Sequence, residues 1–186
     1  MHVLRYAVAL VVVVDFLVAV VQMQQAIIER ASFKPPSVTT FGQYAVTMTS
    51  KTRDDVDLYV RDPQGDVGWY DSLQSGALSL QHDTVPGVTD PAAAGEHELM
   101  VIREATAGEY VANVLLYSGT APAVVDVQLW DLRGLHKHVV LSRRVRVHEE
   151  GEQLTVFRWR LDARGNFAGH NLLPADLLRS VAEPAG

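Results

Sequence analysis

The sequence predicts one N-terminal transmembrane helix followed by an all-β domain, an antiparallel β-sandwich or jelly roll. Three observations predict it. An apolar run, YAVALVVVVDFLVAVV, fills positions 6–21 with Asp15 as its only charged side chain. Beyond about residue 40 the chain breaks into seven or eight short runs, many of alternating polarity, separated by turn residues at the ~8–12-residue spacing of sandwiches. No long amphipathic helical pattern interrupts them, and 186 residues suit about one domain of ordinary size.

Residues 1–5 form a short N-terminus and 6–28 the helix. From Leu4 to Ile28 there are about 25 residues, enough at ~1.5 Å rise per residue to cross a ~30 Å hydrocarbon core with some tilt. Two other readings compete with a membrane span. A cleaved signal peptide would draw on His2 and Arg5 for its charged start, but VVQMQQAIIER offers no convincing small-x-small cleavage site. A buried helix of a soluble domain would tolerate the four valines 11–14 poorly, since β-branched residues lower helix propensity. Arg5 on one side against Arg30 and Lys34 on the other does not favour an inside N-terminus by charge. The expected orientation, cytoplasmic N-terminus and extracytoplasmic domain, rests instead on the few residues before the span and the large domain after it.

Asp15 is the informative residue of this segment. A carboxylate near the bilayer centre costs roughly 2.5–3.5 kcal/mol on insertion scales, so an ionisable group there reads as functional by default. It can relay an ion, or it can hold the helix to a partner by a hydrogen bond. Either role needs partner helices, because the run supplies no second acid or base.

The linker, 29–40, contains Pro35–Pro36, which cannot continue a helix and favours an extended spacer. The domain is expected over 41–165. Tyr44–Ser50 alternates, and Asp55–Asp62 sets Val56, Leu58 and Val60 on one face and Asp57, Tyr59 and Arg61 on the other. Pro63–Asp66 reads as a turn with glycine at its third position. VGWYD and ALSLQHD suggest short strands, and Thr84–Gly95 a long loop. His97–Glu104, Ala107–Gly119 and Val124–Leu132 follow as strands, and then HVVLSRRVRVHEE and QLTVFRWRLDARG as a hairpin closed near Glu149–Gly151. The tail, 166–186, offers at most one helical turn.

Composition limits function. A net charge of −6 and pI near 5.6 argue against a nucleic-acid partner. Arg143, Arg144 and Arg146 alternate with valines and read as a solvated strand face. With no cysteine there is no thiol nucleophile, zinc-thiolate site or disulfide framework. Asp54, Asp55, Asp57, Asp62 and Asp66 raise calcium as a weak possibility, but the spacing and closing glutamate of an EF-hand loop are missing. His82–Asp83 with His97, and His136, Lys137 and His138, read as ordinary strand-edge side chains rather than metal ligands. No G-x-S-x-G, P-loop or H-E-x-x-H occurs, so no enzyme is expected and no cofactor is implied.

The stretch VVVVDFLVAVV, a lone helix with one acid followed by Phe16 and Leu17, resembles the B subunits of ion-driven rotary motors: MotB, ExbD and TolR. The stretches DVDLYVRDPQGDVGWY, LQHDTVPG and GEYVANVLLYSG resemble extracytoplasmic β-sandwich domains with a D-x-D-L-x-V-x-D-P-x-G signature. The resemblance implies a dimer of this chain inside a ring, expected to be a pentamer, of MotA-, ExbB- or TolQ-like multi-span subunits in a bacterial inner membrane. It carries over Asp15 as the residue binding transported H+ or Na+, with Phe16 and Leu17 as pore-packing neighbours. The domain would face the periplasm and an unknown envelope partner. The short N-terminus departs from the longer tails of that family, and no OmpA-like peptidoglycan-binding signature follows. Two rivals stand beside this expectation: a binding module tethered by its helix, and a secreted sandwich released by cleavage near Ala26–Ser37.

Overall fold

The structure, a computed structural model, describes residues 42–182 apart from 51, 53, 83–95, 120 and 121. These residues form eleven strands, every pair antiparallel, and one short helix, Leu178–Ala182. One sheet takes β1 (Tyr44–Ser50), β4 (Gln74–Ser75), β5 (Leu78–His82), β6 (Glu96–Ile102), β8 (Ala123–Asp131) and β9 (His138–Val147), in the order β4-β5-β6-β1-β8-β9. The other takes β2 (Asp55–Arg61), β3 (Val67–Gly68), β7 (Gly108–Ser118), β10 (Gln153–Leu161) and β11 (Phe167–Asn171), in the order β11-β10-β7-β2-β3.

The two-residue period of strands builds the core. Val56, Leu58 and Val60 of β2 and Tyr110, Ala112, Val114 and Leu116 of β7 fall on inner rows. They share one buried cluster with Tyr44, Val46 and Met48 of β1 and Val125, Val127 and Leu129 of β8, so the sheets pack face to face. Trp159 is fully buried, stacked on Tyr110 at 5.1 Å and edge-on to Phe157 at 5.6 Å. Each such burial contributes roughly 1.5–3 kcal/mol, which lets the domain hold together without a disulfide.

A second, smaller cluster lies on the outer face of the five-stranded sheet. There the C-terminal segment crosses the strands and packs Leu177 against Tyr59, Val111 and Leu115. Polar side chains of the sheet pin it: Asn113 Nδ2 donates to the Ala175 carbonyl at 2.7 Å, and Gln153 Oε1 accepts from the Leu177 N–H at 2.8 Å.

β1, β2, β7 and β8 lie where alternation predicts. The expected hairpin does not form: β9 pairs with β8 and β10 with β7 and β11, so the chain changes sheets between them. The cause is local, because Leu116 of β7 bonds both Gly151 N–H and Glu152 C=O and draws the turn onto the other sheet. VGWYD gives only the two residues of β3 before a turn closed by a Trp69–Ser72 bridge. The segment expected as a tail supplies β11, whose FAGHN sequence lacks β-branched residues, and then the short helix. The loop expected over Thr84–Gly95 lies outside the described residues.

The register defines two ends. β1 begins at Tyr44 opposite Ile102 and Asp131, so the chain enters the domain beside the 103–107 and 132–137 connections. β2 and β10 flank β7 and run parallel to each other, so their closing turns, 62–66 and 162–166, lie at this same end. The turns share the pattern D-x-x-G-[D/N]. Asp62 Oδ1 accepts from Gln64 and Asp66 N–H at 2.9 and 3.0 Å, and Asp162 Oδ1 from Arg164 and Asn166 N–H at 2.8 and 2.9 Å. Their glycines, Gly65 and Gly165, take φ of +97° and +74°, a region that L side chains rarely adopt.

Arg133 locks the second turn to the opposite sheet. It donates to Gly165 C=O at 2.6 Å, to Tyr44 Oη at 2.5 Å and to Asp131 through Nε at 3.0 Å and Nη2 at 2.6 Å. Burial, reinforced by the Asp131 charge against that of Arg133, pushes the Tyr44 hydroxyl up to about 12. On the other edge, β3 pairs only with Val60 and Arg61, leaving the rest of β2 beyond its reach. Glu98, 2% exposed, reaches across from the opposite sheet and accepts the Leu58 N–H at 2.8 Å.

Candidate functional site

Asp15, Phe16 and Leu17 lie outside the described residues. Among the described residues no helix is long and apolar enough to cross a membrane. The acids weighed for calcium do not gather as one set: Asp55 and Asp57 sit on β2, whereas Asp62 and Asp66 lie together in the turn at its far end. Among the described residues no three His, Cys, Asp or Glu side chains gather to hold a metal ion. His97 Nδ1 is 3.2 Å from Thr49 Oγ1, and His136 and His138 are exposed. Arg144 pairs with Asp126 across β8 and β9, and Arg143 reaches over the sheet edge to the Val156 carbonyl at 2.5 Å.

The structure instead brings together four rings far apart in sequence. Alternation places Tyr59 on the outer row of β2 and Tyr117 on that of β7, while the turn after β3 supplies Trp69 and Tyr70. Tyr59 and Trp69 stack at 5.6 Å with planes 18° apart. Tyr70 meets Trp69 edge-on at 4.7 Å, and Tyr117 meets Tyr70 edge-on at 6.3 Å. Each aromatic pair adds about 0.5–1.5 kcal/mol beyond area burial, so the chain of rings is a fixed surface.

Its exposure grows along its length. Tyr59 is buried within the outer-face cluster, Trp69 packs partly against that cluster, and Tyr70 and Tyr117 are 39% and 56% exposed. The exposed members stand toward the end of β7 remote from where the chain enters. Burial, then the Asp57 charge, raises the pKa of both Tyr59 and Tyr70, with Asp71 and Asp55 adding to the effect at Tyr70. Both hydroxyls therefore stay protonated at neutral pH and can donate. Exposed aromatic faces beside hydroxyl donors suit recognition.

Nothing in a linear pattern joins Tyr59, Trp69, Tyr70 and Tyr117. The one available signal was the presence of Tyr59 and Tyr117 on outward rows, where a solvated face would carry polar side chains. No protein-family model matches the chain, and no curated protein or solved structure matches it.

Proposed function

We propose that the chain is the B subunit of a proton- or sodium-driven membrane motor or energy-transducing complex. The observation that carries this reading is Asp15, the one charged side chain in the apolar run 6–21. An acid at that depth is costly and marks an ion path by default. In this reading the helix 6–28 crosses a bacterial inner membrane from a cytoplasmic N-terminus. A dimer of the chain stands inside a ring of MotA-, ExbB- or TolQ-like subunits, and Asp15 couples ion passage to movement of the periplasmic domain. The shape of the domain supports the output half of the reading. Its chain arrives at one end and its exposed rings stand toward the other, so it can be driven from one side and grip an envelope partner with the other. Asp15→Asn should abolish ion-driven activity at unchanged membrane level and assembly; a fully active variant refutes the reading.

The exposed rings also favour a second reading, a membrane-tethered recognition module whose helix is only an anchor. Replacing 6–28 by a polyleucine span separates the two: function survives for a tether and is lost for a motor.

A further inference from the structure

The exposed end of the ring series, Tyr70 and Tyr117 in edge contact, offers two ring faces to solvent, and Leu73 in the chain just after Tyr70 is exposed as well. A ring face carries the negative side of the aromatic quadrupole and attracts a cation held within about 6 Å of its centroid. What surrounds the rings therefore decides which partner suits them.

Carboxylates flank them from three elements far apart in sequence. On the β2 side of Tyr117 the register puts Asp55 opposite Ser118 and Asp57 opposite Leu115. On its other side Gly151 N–H donates to the Leu116 carbonyl at 2.8 Å, and Leu116 N–H to the Glu152 carbonyl at 3.2 Å. Those two bonds hold the turn that bears Glu149 and Glu150 against the residue before Tyr117. Asp71 follows Tyr70 in the turn that carries the second ring. Asp71, Glu149 and Glu150 are exposed, and none forms an ion pair with a described residue.

Ring faces and carboxylates attract the same sign of charge, and the chain's net charge of −6 acts in the same direction over longer range. Of the two permanently cationic side chains, arginine fits both kinds of group. Its guanidinium is planar, stacks on an aromatic face and forks onto a carboxylate through two bonds, whereas a lysine ammonium is a strongly hydrated point charge. Tyrosine and arginine also dominate the energetic centres of protein interfaces. A neutral glycan can stack on the same rings, but it draws no Coulomb attraction from the carboxylates around them.

We propose that this surface docks an arginine-bearing segment of a polypeptide partner, a guanidinium lying on Tyr70 and Tyr117 with Asp71, Glu149 and Glu150 around it. This names the chemistry of the partner gripped in the reading above and rests on the recognition role of the rings, not on Asp15. Asp15→Asn and the polyleucine span test that reading by ion-driven activity, so its failure is seen separately from failure here. The test is fluorescence anisotropy of labelled decapeptides that alternate glycine with arginine, with lysine or with glutamate. Each is titrated with the full-length chain in uncharged detergent micelles, with chitohexaose as a neutral glycan probe. Saturable binding of the arginine peptide is expected, several-fold tighter than that of the lysine peptide and weaker as salt rises, with the glutamate peptide inert. Tyr117→Ala, and Asp71→Asn combined with Glu150→Gln, should each weaken it about three- to tenfold, while Tyr117→Phe keeps the ring face and the affinity. Glu104→Gln removes one charge at the opposite end and should leave binding as it is. All of these side chains are exposed, so the variants should keep the parent unfolding midpoint. Absence of saturable arginine-peptide binding overturns the proposal, as does a lysine peptide that binds equally well. So does binding that Tyr117→Ala leaves unchanged or that Glu104→Gln weakens as much, and so does chitohexaose binding with the arginine peptide inert.

Discussion

Leu177→Ala asks whether the C-terminal segment is part of the sandwich or only lies on it. Leu177 is fully buried against Tyr59, Val111 and Leu115. Truncating a buried leucine costs about 2–5 kcal/mol in a core that cannot relax. The segment, however, can lift, and its lifting limits the loss to the free energy that holds it down. Besides Leu177, the holding bonds run from Asn113 to Ala175 C=O at 2.7 Å, from Ala175 N–H to Thr155 at 2.9 Å and from Leu177 N–H to Gln153 at 2.8 Å. Each such bond contributes about 0.5–1.5 kcal/mol net, so the expected loss is about 2–3 kcal/mol, in the lower part of the range. Urea unfolding of the full-length protein gives the number, and the midpoint should fall at an unchanged slope. Trp69 packs on the same cluster, so its emission should shift to the red in the variant. A change below about 1 kcal/mol with unaltered emission would refute the view that Leu177 anchors this face.

Two further predictions concern charge. Burial raises the Asp62 pKa, backbone N–H groups oppose this and the Asp66 charge adds to it. A raised folded pKa gives a contribution that is full below about 3.9, the unperturbed value, and is lost as pH rises through the folded value. Asp62→Asn keeps an acceptor for the turn, so it should be more stable than the parent at neutral pH, with the gap closing toward about pH 3.9; a less stable variant at neutral pH contradicts this. At Asp131 burial works upward, but the hydrogen bonds and charge of Arg133 outweigh it and hold the carboxyl low. That contribution is present above about 3.9 and lost as pH falls through the folded value. Arg133→Met should therefore cost about 1–3 kcal/mol at neutral pH and progressively less in acid; a deficit independent of pH in thermal unfolding scans rules this out.

Residues whose neighbours along the chain decide their fate were legible in the sequence. The alternation of Tyr44–Ser50 gave a strand at the expected bounds, that of Asp55–Asp62 one ending a residue earlier at Arg61, and Pro63–Asp66 gave its turn. Partners were not legible, because alternation marks a strand without saying which strand it meets. Hence β9 and β10 read as a hairpin although Leu116, some thirty-five residues back, draws the turn away. β11 was hidden because Phe167–Asn171 is polar and glycine-containing, and only its pairing with Arg158–Leu161 makes it a strand. Asp62 and Asp66 follow the same logic: both were visible as acids, but Gly76 meets them only through the fold.

The reach of Glu98 to the Leu58 N–H has a consequence for how molecules of this protein meet one another. A free strand margin offers a row of donors and acceptors to any passing extended chain and so invites polymerisation. Beyond the two residues of β2 that β3 pairs, the carboxylate from the facing sheet takes the donor at Leu58. An intruding strand would have to displace a charge-assisted bond and strand a buried acid before gaining its first rung. One side chain thereby closes this position of the sheet to an added strand.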